Sequence, residues 1–298
     1  REINEILQII TLTIYFDNIK PDEVNKLLDL CIIHAFGNQN QFLNPAHSLH
    51  MDLIQKVNYS EIVVLMVALS KHNIEDATWM KELIDKIDDK IISMRHHQEH
   101  GPILLAWMVF KLSSKKDDVT ICNNYGKLGT KAVQLNVFGY LHKMVTHRQF
   151  KDKSLVSRIF IRCIYDNLDF MCELFNMDGS MAQYPMIFEL FSEILKGPAI
   201  AKEFCKSESS QIRTLFDAAV QMFPHEFMPL SMLANSLTLA SLSSFTWIMQ
   251  FLQTLPIYAE QPNDPLFELR RNELSDEDDA YLLLSNYQPF PKISDFVI

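Results

Sequence analysis

The sequence predicts an all-α protein, and three observations carry that expectation. Glycine occurs only 7 times in 298 residues. That is too few for the Gly-rich turns of nucleotide-binding α/β folds or the many tight turns of sandwiches and barrels. Apolar residues recur at helical spacing along most of the chain. Two runs, Ile62–Leu69 and Ile103–Phe110, are each eight residues of uninterrupted apolar character. They fall far short of the roughly 18–20 residues needed to cross a bilayer, so they predict helices buried on every side.

Residues 1–16 read as the first helix. Pro21 suits a first helical position, where its missing N–H costs nothing, and the helix it opens is expected to stop at Gly37. Residues 37–45 (GNQNQFLNP) read as a polar loop. A helix from about Ala46 to Val57 follows, and Ser60 is read as the N-cap of the next, which holds the first apolar run. A longer, more polar helix extends from about Ile74 to Arg95. The stretch from Gly101 to Val145 organises the rest: the second apolar run, a charged connector over 113–124, and an amphipathic partner helix capped at Thr130. That partner places Val133, Val137, Tyr140, Leu141, Met144 and Val145 on one face.

Lys151–Phe175 is long enough to expect a break near Asp166–Asn167. Ser180 and Pro185 introduce a helix that ends at Gly197-Pro198. Gln211–Phe223 carries the cleanest stripe, with Ile212, Leu215, Phe216, Ala219, Val220 and Phe223 at helical spacing. Pro224 breaks it, and Pro229 lies in or near the first turn of the next helix. Ser241–Leu255 closes the series with Leu242, Phe245, Met249 and Leu252 on one side. Roughly a dozen helices thus fill residues 1–255, in pairs of about 40 residues, the scale of HEAT-like repeats. The expected architecture is an α-solenoid of stacked antiparallel helix pairs, a HEAT/ARM-like superhelix, with a compact all-α domain as the alternative. From Pro256 the composition turns Pro-rich and acidic (Ser275–Asp279), so residues 256–298 read as a linker or tail of short extended pieces.

Composition also excludes function classes. The net charge is −10, and Lys and Arg are scattered or paired with acids, as in Lys115–Asp118 and Lys86–Lys90. A nucleic-acid surface needs clustered basic residues, so none is expected. The five cysteines (Cys31, Cys122, Cys163, Cys172, Cys205) are widely spaced with no CxxC, which favours reduced thiols in an intracellular compartment. No signal peptide or transmembrane stretch is legible, so direct membrane insertion is not expected. The chain opens on Arg1 inside a helical pattern, which reads as a fragment of a longer protein.

The sharpest catalytic lure is His96–His100 (HHQEH). From His96 it spells the H-x-x-E-H of inverted zinc peptidases. His96 and His100 would hold the metal, Glu99 would activate water, and Glu173 is a conceivable third ligand. Against this, Gly101-Pro102 marks a helix boundary, and the wholly apolar run that follows offers no pocket. A polar loop is the favoured reading. No Walker loop, G-x-S-x-G or G-x-G-x-x-G occurs. Cys163 and Cys172 read as core, as do Trp107 and Trp247, and His225 reads as a helix-terminus residue. No catalytic residue, resident metal, cofactor or small-molecule substrate is expected. A solenoid groove suited to an amphipathic or extended peptide remains, but periodicity alone does not select its residues.

Three phrases carry a family resemblance. They are Pro102 with Leu104-Leu105-Ala106-Trp107, Gln134-Leu135-Asn136-Val137-Phe138 with Tyr140-Leu141, and Met222-Phe223-Pro224-His225 with Pro229-Leu230. In these, and in their order across residues 100–255, the chain resembles the large α-solenoid scaffold nucleoporins of the nuclear pore inner ring. The resemblance implies a piece of the N-terminal half of such a protein, with the tail approaching an SH3-like insertion. It implies a non-enzymatic role at the nuclear envelope and partners among linker nucleoporins, held through short linear motifs, with phenylalanine-glycine repeats a further candidate. A HEAT-type transport receptor that binds such repeats or cargo is the alternative. In that family the segment matching HHQEH is a loop.

Overall fold

The computed structural model describes residues 2–17, 19–36, 47–70, 77–94, 97–113, 119–151, 154–175, 185–207, 210–223 and 226–255. Among these, every regular element is helical. In order they are α1 (Glu2–Phe16), α2 (Pro21–Ile33), α3 (Ser48–Leu69), α4 (Ala77–Ser93), α5 (His97–Ser113), α6 (Val119–Gln134), α7 (Val137–Thr146) and α8 (Leu155–Phe175). Then follow α9 (Pro185–Leu195), α10 (Pro198–Lys206), α11 (Arg213–Met222), α12 (Met228–Ala240) and α13 (Leu242–Leu252), with one 3-10 turn at Arg148–Phe150. The all-α class read from the sequence is the one observed. The loop over 37–45, His96, Ser180, Pro224, His225 and the tail from Pro256 lie outside the described residues.

The chain divides into two compact units, residues 1–194 with 209–215, and residues 195–208 with those from 216 onward. In the first, α1, α3 and α5 stack side by side, and α2 and α4 form a second row against α3 and α5. Helices α6 and α7 pack on α5, while α8 lies against α1, α3 and α5 together. The stacking of alternate helices is that of a solenoid. The reach of α8 across three of them exceeds the strict neighbour-to-neighbour contact of an ideal repeat array.

This arrangement explains the two apolar runs. Helices α3 and α5 have neighbours on several sides, and residues 58–69 and 100–112 are buried without exception. At about 1.5–3 kcal/mol per large apolar side chain removed from water, these two segments supply much of the drive for assembly. Trp107 and Phe110 stack within α5 at 5.2 Å between ring centroids, and Trp79 of α4 meets Phe110 edge-on at 6.0 Å. Exposed ion pairs trim the seam between α2 and α4: Lys86 with Asp22 at 2.7 Å and Lys90 with Asp29 at 2.6 Å.

Several boundaries differ from the sequence reading, each for a local reason. Helix α2 ends before Gly37. Ala35 takes φ 46° and Phe36 φ 51°. Phe36 N–H reaches Cys31 O at 2.9 Å and Ala35 N–H reaches Ile32 O at 3.0 Å, the paired bonds of a Schellman stop with alanine where glycine is usual. Ser60 is not a cap, because α3 runs unbroken from Ser48 to Leu69 and the Ser60 hydroxyl bonds to a neighbouring helix instead. Gly101-Pro102 is not a boundary either: both lie inside α5. A Cβ on residue 101 would stand 3.3 Å from Val137 Cβ, so the glycine lets α5 and α7 approach closely.

The connector expected over 113–124 is shorter, since α6 already begins at Val119. Thr130 therefore lies inside α6 rather than capping a helix. The break comes later, at Asn136, which adopts φ 57° and serves as the N-cap residue of α7. Asparagine tolerates this left-handed conformation better than other non-glycine residues. Helix α8 does not break at Asp166–Asn167. Asn167 is fully buried and bonds to Ser70 Oγ at 3.2 Å, so the polar residue holds α8 to α3 rather than ending it.

In the second unit α10, α12 and α13 pack on one another around an aromatic cluster. Phe216 lies 5.8 Å from Phe204, 5.6 Å from Trp247 and 5.0 Å from Phe251. Ser241 caps α13 by accepting from Ser244 N–H at 3.2 Å, and Ser244 Oγ donates to Leu237 O at 2.7 Å. The buried residues of α13 are Ser244 and Ile248. The side that carries the periodic apolar row is largely outward: Leu242 is 81% exposed, and Phe245 and Met249 are exposed as well.

One buried ion pair gives a test of the core. Lys111 is only 3% exposed. Its Nζ donates to Asp88 Oδ2 at 2.6 Å, and Trp107 Nε1–H donates to Asp88 Oδ1 at 2.8 Å. Removing this carboxylate from a buried cation is expected to cost about 3 kcal/mol. Asp88→Ala should therefore lower the urea midpoint clearly, whereas Asp22→Ala at the exposed Lys86 pair should leave it near wild type.

Candidate functional site

Four consecutive residues of α3, Asn58, Tyr59, Ser60 and Glu61, form the most concentrated polar feature inside the first unit. All four are buried. Successive helical residues project about 100° apart, so four in a row reach several neighbouring elements. Asn58 is the hub. Its Nδ2 donates to Phe36 O at 3.0 Å and to Glu99 Oε1 at 3.2 Å, and its Oδ1 accepts from Tyr140 O–H at 2.6 Å. One side chain thus holds the left-handed turn after α2, the start of α5 and the middle of α7.

Tyr59 accepts from Gln55 Nε2 at 2.8 Å and meets Tyr140 and His147 edge-on at 5.9 and 5.2 Å. Ser60 Oγ donates to Asn4 Oδ1 of α1 at 2.5 Å and accepts from Gln149 Nε2 at 2.6 Å. Gln149 Nε2 also reaches Asn4 Oδ1 at 3.1 Å. Glu61 is the exception, because its Oε2 is buried with no hydrogen-bond partner. Burial raises the Tyr140 and Tyr59 hydroxyl pKa values and lowers that of His147, so all three favour their neutral forms.

The structure separates the residues of the zinc-like motif it describes. Residues 97–100 open α5 rather than forming a loop, and His96 lies outside the described residues. His100 is buried, with Nε2 2.7 Å from Ile91 O at the end of α4. Glu99 turns instead toward α3 and accepts from Asn58. A zinc peptidase needs its histidine and glutamate to converge on one cavity, whereas here they serve two different interhelix contacts. The conceivable third ligand, Glu173, belongs to α8; its side chain lies outside the description. Among the described residues no group of three or more His, Cys, Asp or Glu is placed to hold a metal ion.

The cysteines described are packing groups. Cys31, Cys163 and Cys172 are buried free thiols. Burial pushes Cys163 and Cys172 up to about 12 and raises Cys31 further still. A nucleophilic cysteine needs the opposite shift. Cys163 Sγ lies 2.9 Å from Ser70 Oγ, one more link between α8 and α3. Asp169 of α8 accepts from Ser210 O–H at 2.6 Å and from Ile212 N–H at 2.8 Å, anchoring the start of α11.

The described surface carries exposed large apolar side chains. In the first unit α1 leaves Ile3, Ile6, Ile9 and Phe16 exposed, the last at 67%. In the second, Leu242, Phe245 and Met249 recur at i, i+3 and i+7 along α13, with Leu239, Phe227 and Met228 of α12 and its N-cap also exposed. The sequence places the α13 row, with Leu252, on one side of its helix. A row at helical spacing looks the same whether a neighbour covers it or not. The Asn58–Glu61 tetrad was missed because a short polar stretch before an apolar run reads as a cap.

These features define a class of protein: an all-helical packing module whose interior polar groups join helices and whose outer helix faces carry apolar rows. Among the described residues no helix is long and apolar enough to cross a membrane. A family model described as Nucleoporin Nup188, N-terminal, matches residues 1–269, and the chain belongs to that family. Nucleoporin Nup188 of Drosophila melanogaster is 33% identical across 100% of this chain and 16% of its own length. Nucleoporin NUP188 of Xenopus tropicalis is 24% identical across 89% of this chain and 16% of its own. The human protein of that name is 21% identical across 87% and 15%. The chain therefore spans about one sixth of the length of these relatives. Nucleoporins are components of the nuclear pore complex, and that is where this chain resides. The resemblance carried by the Pro102, Gln134 and Met222 phrases points to the same family.

The hub makes a direct prediction. Asn58→Ala would withdraw three hydrogen bonds and leave the buried Phe36 carbonyl and the Tyr140 hydroxyl of α7 without this partner, at about 1–3 kcal/mol for each buried group stranded. A loss of roughly 3 kcal/mol is expected by urea denaturation. Ser60→Ala should cost about 1–2 kcal/mol while leaving the far-ultraviolet helical signal unchanged, since Ser60 caps no helix.

Proposed function

We propose that this chain is a non-enzymatic scaffold segment of the nuclear pore inner ring that holds short linear segments of linker nucleoporins. The observation that carries the reading is a contrast between interior and surface. Buried polar, charged and thiol groups join one helix to another, while among the described residues apolar rows on α1 and α13 remain uncovered. Such rows suit an amphipathic helix or an extended apolar peptide, whose side chains enter between helical ridges. Membership of the Nup188 family supports the same reading, because it places the chain within a large assembly that must be joined by many contacts.

The test is affinity capture from nuclear extract with this chain as bait, read by mass spectrometry. Linker nucleoporins are expected among the captured proteins. Recovery of Ran or import cargo instead would favour a transport receptor. The apolar row should matter without affecting the fold: Phe245→Asp and Leu242→Asp are expected to leave the melting temperature near wild type, as exposed substitutions do. They should reduce capture several-fold if α13 is the docking face, and unchanged capture would exclude that face.

A further inference from the structure

The polar tetrad contains one group that the packing does not explain. Glu61 is 8% exposed, and its Oε2 has no hydrogen-bond partner. An ionised carboxylate so placed would pay a large desolvation cost without a compensating charge. The charged and titratable groups around it are engaged elsewhere or turned away. On α3 itself, Lys56 pairs with Asp52 at 2.9 Å. From α2 the facing group is Cys31, a buried thiol whose pKa the Glu61 charge raises.

From α1, Glu2 and Glu5 lie on its exposed side, and Asn4 is bound to Ser60. From α5, Glu99 is held by Asn58, His100 by Ile91 O and Lys111 by Asp88. From α8, Arg162 pairs with Asp166 at 2.9 Å, Arg158 is exposed, and Cys163 lies against Ser70. Among the described residues of these helices, no cation faces Glu61.

We propose that Glu61 is carried in the folded chain as an uncharged carboxylic acid, which makes the contact between α2 and α3 a proton-linked joint. Protonated, the side chain is a compact neutral group that α2 covers at Cys31. Ionised, it requires water or a counter-ion, and the nearest way to admit either is for α2 to lift from α3. Burial alone raises the carboxyl from 4.5 to about 7, which fixes the sign. The unfolded chain releases this proton near 4.5 and the folded chain near 7. The contribution to stability is therefore fully present below about 4.5 and lost as pH rises to about 7, beyond which the loss is constant.

The experiment measures stability of the 298-residue chain and of Glu61→Gln by urea denaturation at pH 4.5, 6 and 7.5. Comparing the two cancels the carboxylates that the proteins share. Glutamine keeps the shape and cannot ionise, so the ratio of folding constants, variant over wild type, should rise on the order of 10²-fold from pH 4.5 to 7.5. A ratio independent of pH, or a variant less stable at pH 7.5, would overturn the proposal. A second reading needs no variant. Thiol labelling followed peptide by peptide should show Cys31 gaining reactivity relative to Cys163 as pH rises from 5 to 8. A constant ratio between those two buried thiols would sink the joint.

Discussion

The structure of the first unit depends on two runs, Ile62–Leu69 of α3 and Ile103–Phe110 of α5, being apolar around their whole circumference. A helix with one apolar stripe needs one neighbour, and a helix apolar on all sides needs several. Burying residues 58–69 and 100–112 requires α1, α2, α4, α6, α7 and α8 to gather around two central helices. Rows of stacked pairs supply most of that cover. The remainder comes from α8, which reaches back to α1, α3 and α5. Such long-range closure explains how a short stretch of repeat-like helices becomes a compact unit instead of a string of separable pairs.

Apolar burial has little directional preference, so it does not by itself set the register of one helix against the next. The polar groups inside the unit do. Asn58 joins the turn after α2 to α5 and α7, Ser60 joins α3 to α1 and to Gln149, and Ser70 joins α3 to Cys163 and Asn167 of α8. Each bond has a short reach and a preferred angle. Sliding a helix by one residue would strand several buried donors and acceptors at once. Asn58 also braces Ala35 and Phe36, two non-glycine residues in the left-handed region whose conformation needs support from surrounding structure.

The same chemistry bears on function. The described residues of the zinc-like motif are occupied: His100 by a main-chain oxygen and Glu99 by Asn58. Three thiols are held in their unreactive protonated form by burial. Among the described residues, exposed large apolar side chains lie on outer faces of α1, α12 and α13. The nucleoporin relatives this chain matches are about six times its length.

The sequence by itself determined the class of fold, most helix positions and the family. Glycine scarcity, the apolar runs and the stripe from Ile212 to Phe223 are local properties, and helix formation answers to local properties. It also determined which residues were apolar enough to be core, as at Ile103–Phe110, Cys163 and Cys172. Only the tertiary structure decided what its polar residues do. Ser60, Asn167 and Gly101 carry the signals of a cap, a break and a boundary, yet each lies inside a continuous helix because a partner distant in sequence satisfies it. Leu242, Phe245 and Met249 show the converse, a packing stripe without a described neighbour to cover it. A hydrogen bond or a close approach between α3 and α8 depends on residues some 100 positions apart, and no local pattern encodes where the second partner will stand.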